Sequence, residues 1–169
     1  ELRRLLHRHP EPANEEHQTT ALIAASLDEN GIVYHDRRPQ TGLWVDVGPE
    51  PRIGFRADLD ALPIHEPEGN APRSQNPGWM HACGHDGHAA VAFGIAVALR
   101  QLDLPVGVRL LFQPAEEAFP GGASQFVEEG LVDGLKGILA LHVDPSLETG
   151  LVGSRTGPIT ASADMFTIV

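Results

Sequence analysis

The stretch Met80–His88, M-H-A-C-G-H-D-G-H, gathers three of the chain's nine histidines, its only cysteine and an aspartate. In an extended segment alternate side chains share a face, with Cα atoms two apart separated by about 6.6 Å. That spacing would point His81, Cys83 and His85 the same way, and a thiolate beside imidazoles suits zinc and its neighbours. A lone buried cysteine among surface histidines would also fit, so other segments must decide. Asp58 and Asp60 stand two residues apart at the end of a strand-like run. Glu116 and Glu117 follow another such run and Pro114. His142 lies near the end of the apolar run Gly137–Val143. Each has a bland counterpart: a solvated turn for the aspartates near Pro63, a solvated pair for the glutamates, a satisfied core residue for His142. Adjacent carboxylates can nevertheless divide labour, one ligating a metal while its neighbour moves protons.

These groups need elements to position them. Leu2, Leu5 and Leu6 recur at helical spacing up to His9-Pro10. A second helix is predicted from Asn14 as N-cap, with Glu15 and Glu16 in its first turn, to Asn30-Gly31. Ile32–His35, Gly42–Val47 and Arg52–Arg56 read as short strands, and His65–Trp79 as a long loop of the kind that is usually functional or mobile. Asp86 would cap a helix from about Gly87 to Leu102, apolar nearly all round and so expected in the interior. A strand over Val106–Phe112, a helix from Gly121-Gly122 to Glu129 and a central strand over Gly137–Val143 complete the pattern. Helices alternating with strands indicate an α/β fold with a mixed, mostly parallel sheet flanked by helices. In such sheets sites collect beyond the carboxyl ends of the strands, which is where all the candidate groups fall.

The 169-residue length suits one domain with a proper core, and a formal net charge of −11 argues against nucleic acid and anionic membrane as partners. A single cysteine excludes an internal disulfide and fits a reducing, cytoplasmic setting. The longest apolar run, Ala89–Leu99, is far short of the roughly 18 residues of a membrane span. The sequence has no G-x-S-x-G elbow, P-loop, G-x-G-x-x-G or P-C-x-x-C pair. Cys83 acting as a nucleophile with His85 or His142 as base ranks below metal binding, because it leaves the glutamate pair without a role. The chain starts at Glu1 and ends in the β-forming run Met165–Val169, which reads as a piece of a longer protein.

The chain resembles the di-metal aminoacylase/carboxypeptidase family of peptidases, in particular its N-acyl-amino-acid amidohydrolases (hippurate hydrolases and plant auxin-conjugate hydrolases). The matching stretches are L-H-R-H-P-E at Leu6–Glu11, F-R-A-D-L-D-A-L-P-I at Phe55–Ile64, M-H-A-C-G-H-D-G-H at Met80–His88, F-Q-P-A-E-E at Phe112–Glu117, G-G-A at Gly121–Ala123, L-H-V at Leu141–Val143 and G-P-I-T-A-S-A-D at Gly157–Asp164. The resemblance implies a zinc-exopeptidase-like catalytic domain, incomplete here: 1–156 would be its N-terminal segment and 157–169 the start of an inserted lid and dimerisation domain. It implies Cys83, His85, Glu117 and His142 as ligands of two divalent ions (zinc, manganese, cobalt or nickel). Glu116 would be the general base and Asp60 an orienting carboxylate. Asp58 stands where other branches place a ligand histidine, which leaves its role open. The implied reaction cleaves N-acyl amino acids to a carboxylate and a free amino acid, through a water acidified by ions about 3.5–4 Å apart. A homo-oligomer formed through the lid is implied as well, and the isolated 169-residue chain, lacking a last histidine ligand, is expected to be inactive. The rival readings are a non-catalytic metal-binding or interaction module and a metallopeptidase acting on short peptides.

Overall fold

The structure, a computed structural model, describes residues 1–160. Most of the segment 157–169, where the resemblance implies the start of a lid, lies outside the described residues, including the run Met165–Val169. In chain order the elements are α1 (Leu2–Arg8), α2 (His17–Glu29), β1 (His35–Asp36), β2 (Leu43–Val47), β3 (Pro51–Asp58), α3 (His85–Leu99), β4 (Gly107–Gln113), α4 (Gly122–Glu128) and β5 (Gly137–Ala140).

The five strands form one sheet in the order β1-β2-β4-β3-β5. β3 pairs parallel with both β4 and β5, whereas β2 runs antiparallel to β4 and to β1. Four of the five strands therefore run one way, and the sheet is mixed and mostly parallel. β3 reaches β4 through α3, the crossover that a parallel pair requires. The register of β3 on β4 shifts once, between Pro51 and Ile53, then runs one-for-one to Asp58↔Gln113.

Period-two alternation splits the strands' side chains between two faces. Leu43, Val45, Ala57, Leu110 and Phe112 join Leu6, Ile23, Leu27, Ala89, Ala92 and Ala96 in the main core, under α1, α2 and α3. Leu111 points the other way and packs with Phe126 and Leu131 under α4. Arg37 fastens that second layer. Its buried guanidinium lies 4.6 Å from the Phe126 ring centre and donates to the Glu129 carboxylate, Gln125 Oε1 and the Thr41 carbonyl.

Several local expectations are revised. The first strand is His35–Asp36 rather than Ile32–His35, because only these residues find partners on β2. α2 starts at His17, and Asn14 takes a left-handed φ of 63° instead of capping it. The cap comes from Glu11, whose carboxylate accepts the N–H groups of Gln18 and Thr19 at 2.9 and 2.7 Å. α3 starts at His85 behind a left-handed Gly84, so Asp86 lies in the first turn rather than at the cap. Its apolar residues do not all go inside: Ala89, Ala92 and Ala96 are buried, while Val91 is exposed. β5 is an edge strand among the described residues, exposed along its whole length, not the central strand its composition suggests.

Candidate metal centre

The parallel strands deliver the candidate groups to one place. β3 ends at Asp58 and β4 at Gln113, and these residues are register partners, so the chains leaving them start level. Beyond β4, Ala115 adopts φ 50°, a left-handed conformation that costs a residue with a Cβ about 1–2 kcal/mol. Its N–H donates to buried Glu16 Oε1 at 2.7 Å, and its carbonyl accepts from Gly122 N at 2.9 Å. The next two amides, of Glu116 and Glu117, donate one to each carboxylate oxygen of Asp60, both at 2.9 Å. The buried carboxylates Glu16 and Asp60 thus shape the turn that presents the glutamate pair.

His85 opens α3 and is buried. Its Nδ1 lies 2.8 Å from the Asp60 backbone carbonyl, which can only accept, so Nδ1 carries the proton. Nε2 is buried with no hydrogen-bond partner, and it faces Asp58 Oδ2 at 3.6 Å and Glu116 Oε2 and Glu117 Oε1 at 3.8 Å each. A buried ring nitrogen without a partner, ringed by carboxylate oxygens, is an arrangement that a cation between them satisfies, so the residues fit a metal. Cys83, His85 and Glu117 offer ligand atoms all within 4.8 Å of one another, as do Asp58, His85 and His88. His142 Nε2 approaches Cys83 Sγ at 3.3 Å. All four side chains expected to ligate, Cys83, His85, Glu117 and His142, therefore converge beside Glu116.

The electrostatics follow from this crowding of acids. Burial would raise Asp58, but the His88 hydrogen bond and the charges of His85 and Arg56 outweigh it and hold it at about 2. Burial, followed by the charge of Glu117, lifts Glu116 above its ordinary value, the direction that suits a proton-transferring carboxyl. Burial and the carboxylates of Glu117, Asp58 and Glu116 push the Cys83 thiol up to about 12. An activated nucleophilic thiol needs the opposite shift, so the approach of His142 does not make Cys83 one.

His81 joins neither of the clusters of candidate ligand atoms formed by the described residues. Its ring is buried beside His7, at 6.4 Å between centroids, and burial pushes it down to about 4. His88 was not among the expected site residues. The signal lay in its position three residues after His85, the same side of a helix once the helix is known to start there. His7 was missed too. It bridges Asp86 of α3 and Glu66 of the long loop, at 2.9 Å each, and ties that loop to the start of α3.

A family model for peptidase family M20/M25/M40 matches residues 54–165, the span that carries Asp58, Asp60, Cys83, His85, His88, Glu116, Glu117 and His142. The chain belongs to this family. It is 44% identical to an N-acetyl-L-cysteine deacetylase of Bacillus subtilis, over 99% of this chain and 41% of that protein. It is 48% identical to a putative glutamate–cysteine ligase 2-3 of Rhodococcus jostii, over 99% of this chain but only 21% of that protein, most of which lies outside the alignment. The solved structure of the Bacillus subtilis YXEP protein, described as a dinuclear metal binding peptidase from the M20 family, superposes with a TM-score of 0.87 at 40% identity, over 93% of this chain and 46% of that one. The chain spans less than half the length of these relatives. Among the described residues no helix is long and apolar enough to cross a membrane.

Proposed function

We propose that this M20 chain contributes to a metal-dependent amidohydrolase that cleaves N-acyl amino acids, of N-acetyl or hippurate type, to a carboxylate and a free amino acid. The observation that carries this reading is the orphaned His85 Nε2, buried and aimed at Glu116, Glu117 and Asp58, with Cys83 within ligand distance. Cys83, His85, Glu117 and His142 would hold two divalent cations, as the YXEP structure's description supports. When bound, such cations polarise the amide carbonyl and make a water acidic enough to attack at neutral pH. Glu116 accepts the water's proton at its carboxylate and passes it to the leaving nitrogen, a role its raised pKa favours. Asp60 keeps Glu116 and Glu117 in place and fixes the tautomer of His85. Asp58 fits an orienting role better than a ligand role, since Arg56 and His88 already occupy its two oxygens.

The substrate class rests on the deacetylase relative, aligned over two-fifths of its length, and not on the ligase name, which belongs to a protein aligned over one-fifth. The wider proposal includes a homo-oligomer formed through a lid domain and a cytoplasmic setting. The test is to assay the full-length protein on N-acetyl and N-benzoyl amino acids, and on short free peptides, with and without manganese, cobalt, nickel or zinc. Metal-dependent release of amino acid from the acylated substrates supports the reading. Turnover of peptides alone would favour a peptidase, and metal binding without turnover of either would leave a non-catalytic module.

A further inference from the structure

Of the four converging side chains, His142 has the weakest local support. β5 stops at Ala140, two residues earlier, and His142 itself is exposed. Its neighbour Val143 is nevertheless held. The Val143 N–H donates to His88 Nε2 at 3.0 Å, and its side chain fits where Gly84 has none. A Cβ on Gly84 would lie 2.3 Å from Val143 Cγ2, and Gly84 also has φ 89°, so this close approach requires glycine twice over. On its other side, His88 Nδ1 lies 2.6 Å from Asp58 Oδ1.

The partners determine the chemistry of His88. A backbone amide can only donate, so Nε2 must be a bare acceptor; Nδ1 then carries the proton and donates it in a hydrogen bond to the Asp58 carboxylate. Both ring nitrogens of this buried histidine are occupied, which removes it from the ligand set even though it lies within ligand distance of Asp58 and His85. The His142 ring stands edge-on to the His88 ring, 4.7 Å between centroids.

We propose that His88 is the positioning residue for His142: anchored by Asp58, it holds Val143 through its Nε2 and so sets His142 beside Cys83. The inference rests on the reading that His142 holds a metal ion, and it extends that reading to a side chain that touches neither metal nor substrate.

The test uses the full-length protein, with metal affinity measured by chelator competition and Val143 amide exchange measured on the metal-free form. His88→Ala should weaken binding of one ion about 10–100-fold, as loss of a partner behind a ligand does. It should also speed Val143 exchange at least about tenfold while leaving β4 amides unchanged. His88→Gln, which restores an acceptor for the Val143 N–H, should recover most of both effects, and His88→Asn, too short to reach it, should not. Unchanged Val143 exchange in His88→Ala overturns the proposal, and loss of metal without that change makes His88 a ligand. His142→Ala separates the two claims: full metal content in that variant overturns the ligand reading and this inference with it. Loss of metal in His142→Ala combined with normal binding in His88→Ala overturns the inference alone. Should His88→Ala fail to fold, the unmodified protein still decides, because a scalar coupling across the Val143 N–H···Nε2 bond is required and an Nε2-protonated ring refutes the proposal.

Discussion

The backbone carbonyl of Asp60 accepts the Nδ1 proton of His85 at 2.8 Å, while the Asp60 carboxylate grips the amides of Glu116 and Glu117. One aspartate therefore aims three groups of the site without facing the ligand itself. Asp60→Asn keeps the carbonyl, and so the tautomer of His85, but sets an amide NH2 against a backbone N–H. We expect metal affinity and turnover each to fall about 10–100-fold, with the fold retained. Chelator competition and kcat on an N-acetyl amino acid are the measurements. Unaltered values for both would show that the glutamate turn holds itself.

Glu116 and Glu117 should behave differently although they are adjacent. Glu116→Gln should keep its metal and lose turnover by about 10²-fold or more, because a proton carrier is gone. Glu117→Gln should lose metal first. Metal analysis beside kcat separates the two, and swapped phenotypes would reverse the assignment.

Cys83 sets a pH dependence for metal uptake. In the metal-free protein its thiol is held up at about 12, so it is protonated across the working range and must release its proton to ligate. Burial alone would lower the pKa of His85, but its bond to the Asp60 side chain and the charges of Asp58 and Asp60 outweigh that and raise it, and this ring must also be neutral to ligate. Both effects have the same sign: affinity rises with pH, by up to about tenfold per unit for each proton released. Titration calorimetry in buffers of different ionisation enthalpy should show net proton release. In Cys83→Ser the bound metal should drop sharply, and full stoichiometry there would remove Cys83 from the ligand set.

Arg37 tests the second layer of the fold. Arg37→Ala leaves the Thr41 carbonyl and Glu129 without their donor and uncovers Phe126. Because Glu129 is partly solvated, the loss should be about 1–3 kcal/mol, below that of a fully buried pair. Arg37→Lys keeps the charge but not the fork, and should recover less than half of it in a denaturant titration.

Much of this was legible in the sequence because local signals and tertiary demands agreed. Gly42–Val47 and Val106–Phe112 are short apolar runs bounded by turn residues, and strands do form over Leu43–Val47 and Gly107–Gln113. Placing the candidate groups at the ends of elements anticipated that Cys83, His85, Glu117 and His142 would lie near one another, whereas their selection as a ligand set came from the family resemblance alone. What escaped notice depended on partners remote in the chain. Glu11 caps α2 from outside the helix, and Ile32–Tyr34 have strand composition but no strand to pair with. His88 gained importance because α3 starts at His85 and so brings positions three apart to one side, a period that no spacing within nine residues announces. β5 looked central because an apolar run records what a strand is suited to cover, whereas its neighbours in the sheet decide what covers it.

The irregularity between Pro51 and Ile53 lies at the foot of β3, about 20 Å from Asp58 at 3.3 Å per residue. Above it the two central strands are locked one-for-one like the teeth of a ruler. Arg52 has no partner of its own on β4, so deleting it would close the irregularity and leave Ile53 opposite Val108 and Asp58 opposite Gln113. The register above is held by side chains already committed to the two faces of the sheet, so a slip there would turn the Asp58 carboxylate away from His88. The foot of β3 is thus slack in the line: it takes up a change of chain length that, a few residues higher, would dismantle the centre with no ligand replaced.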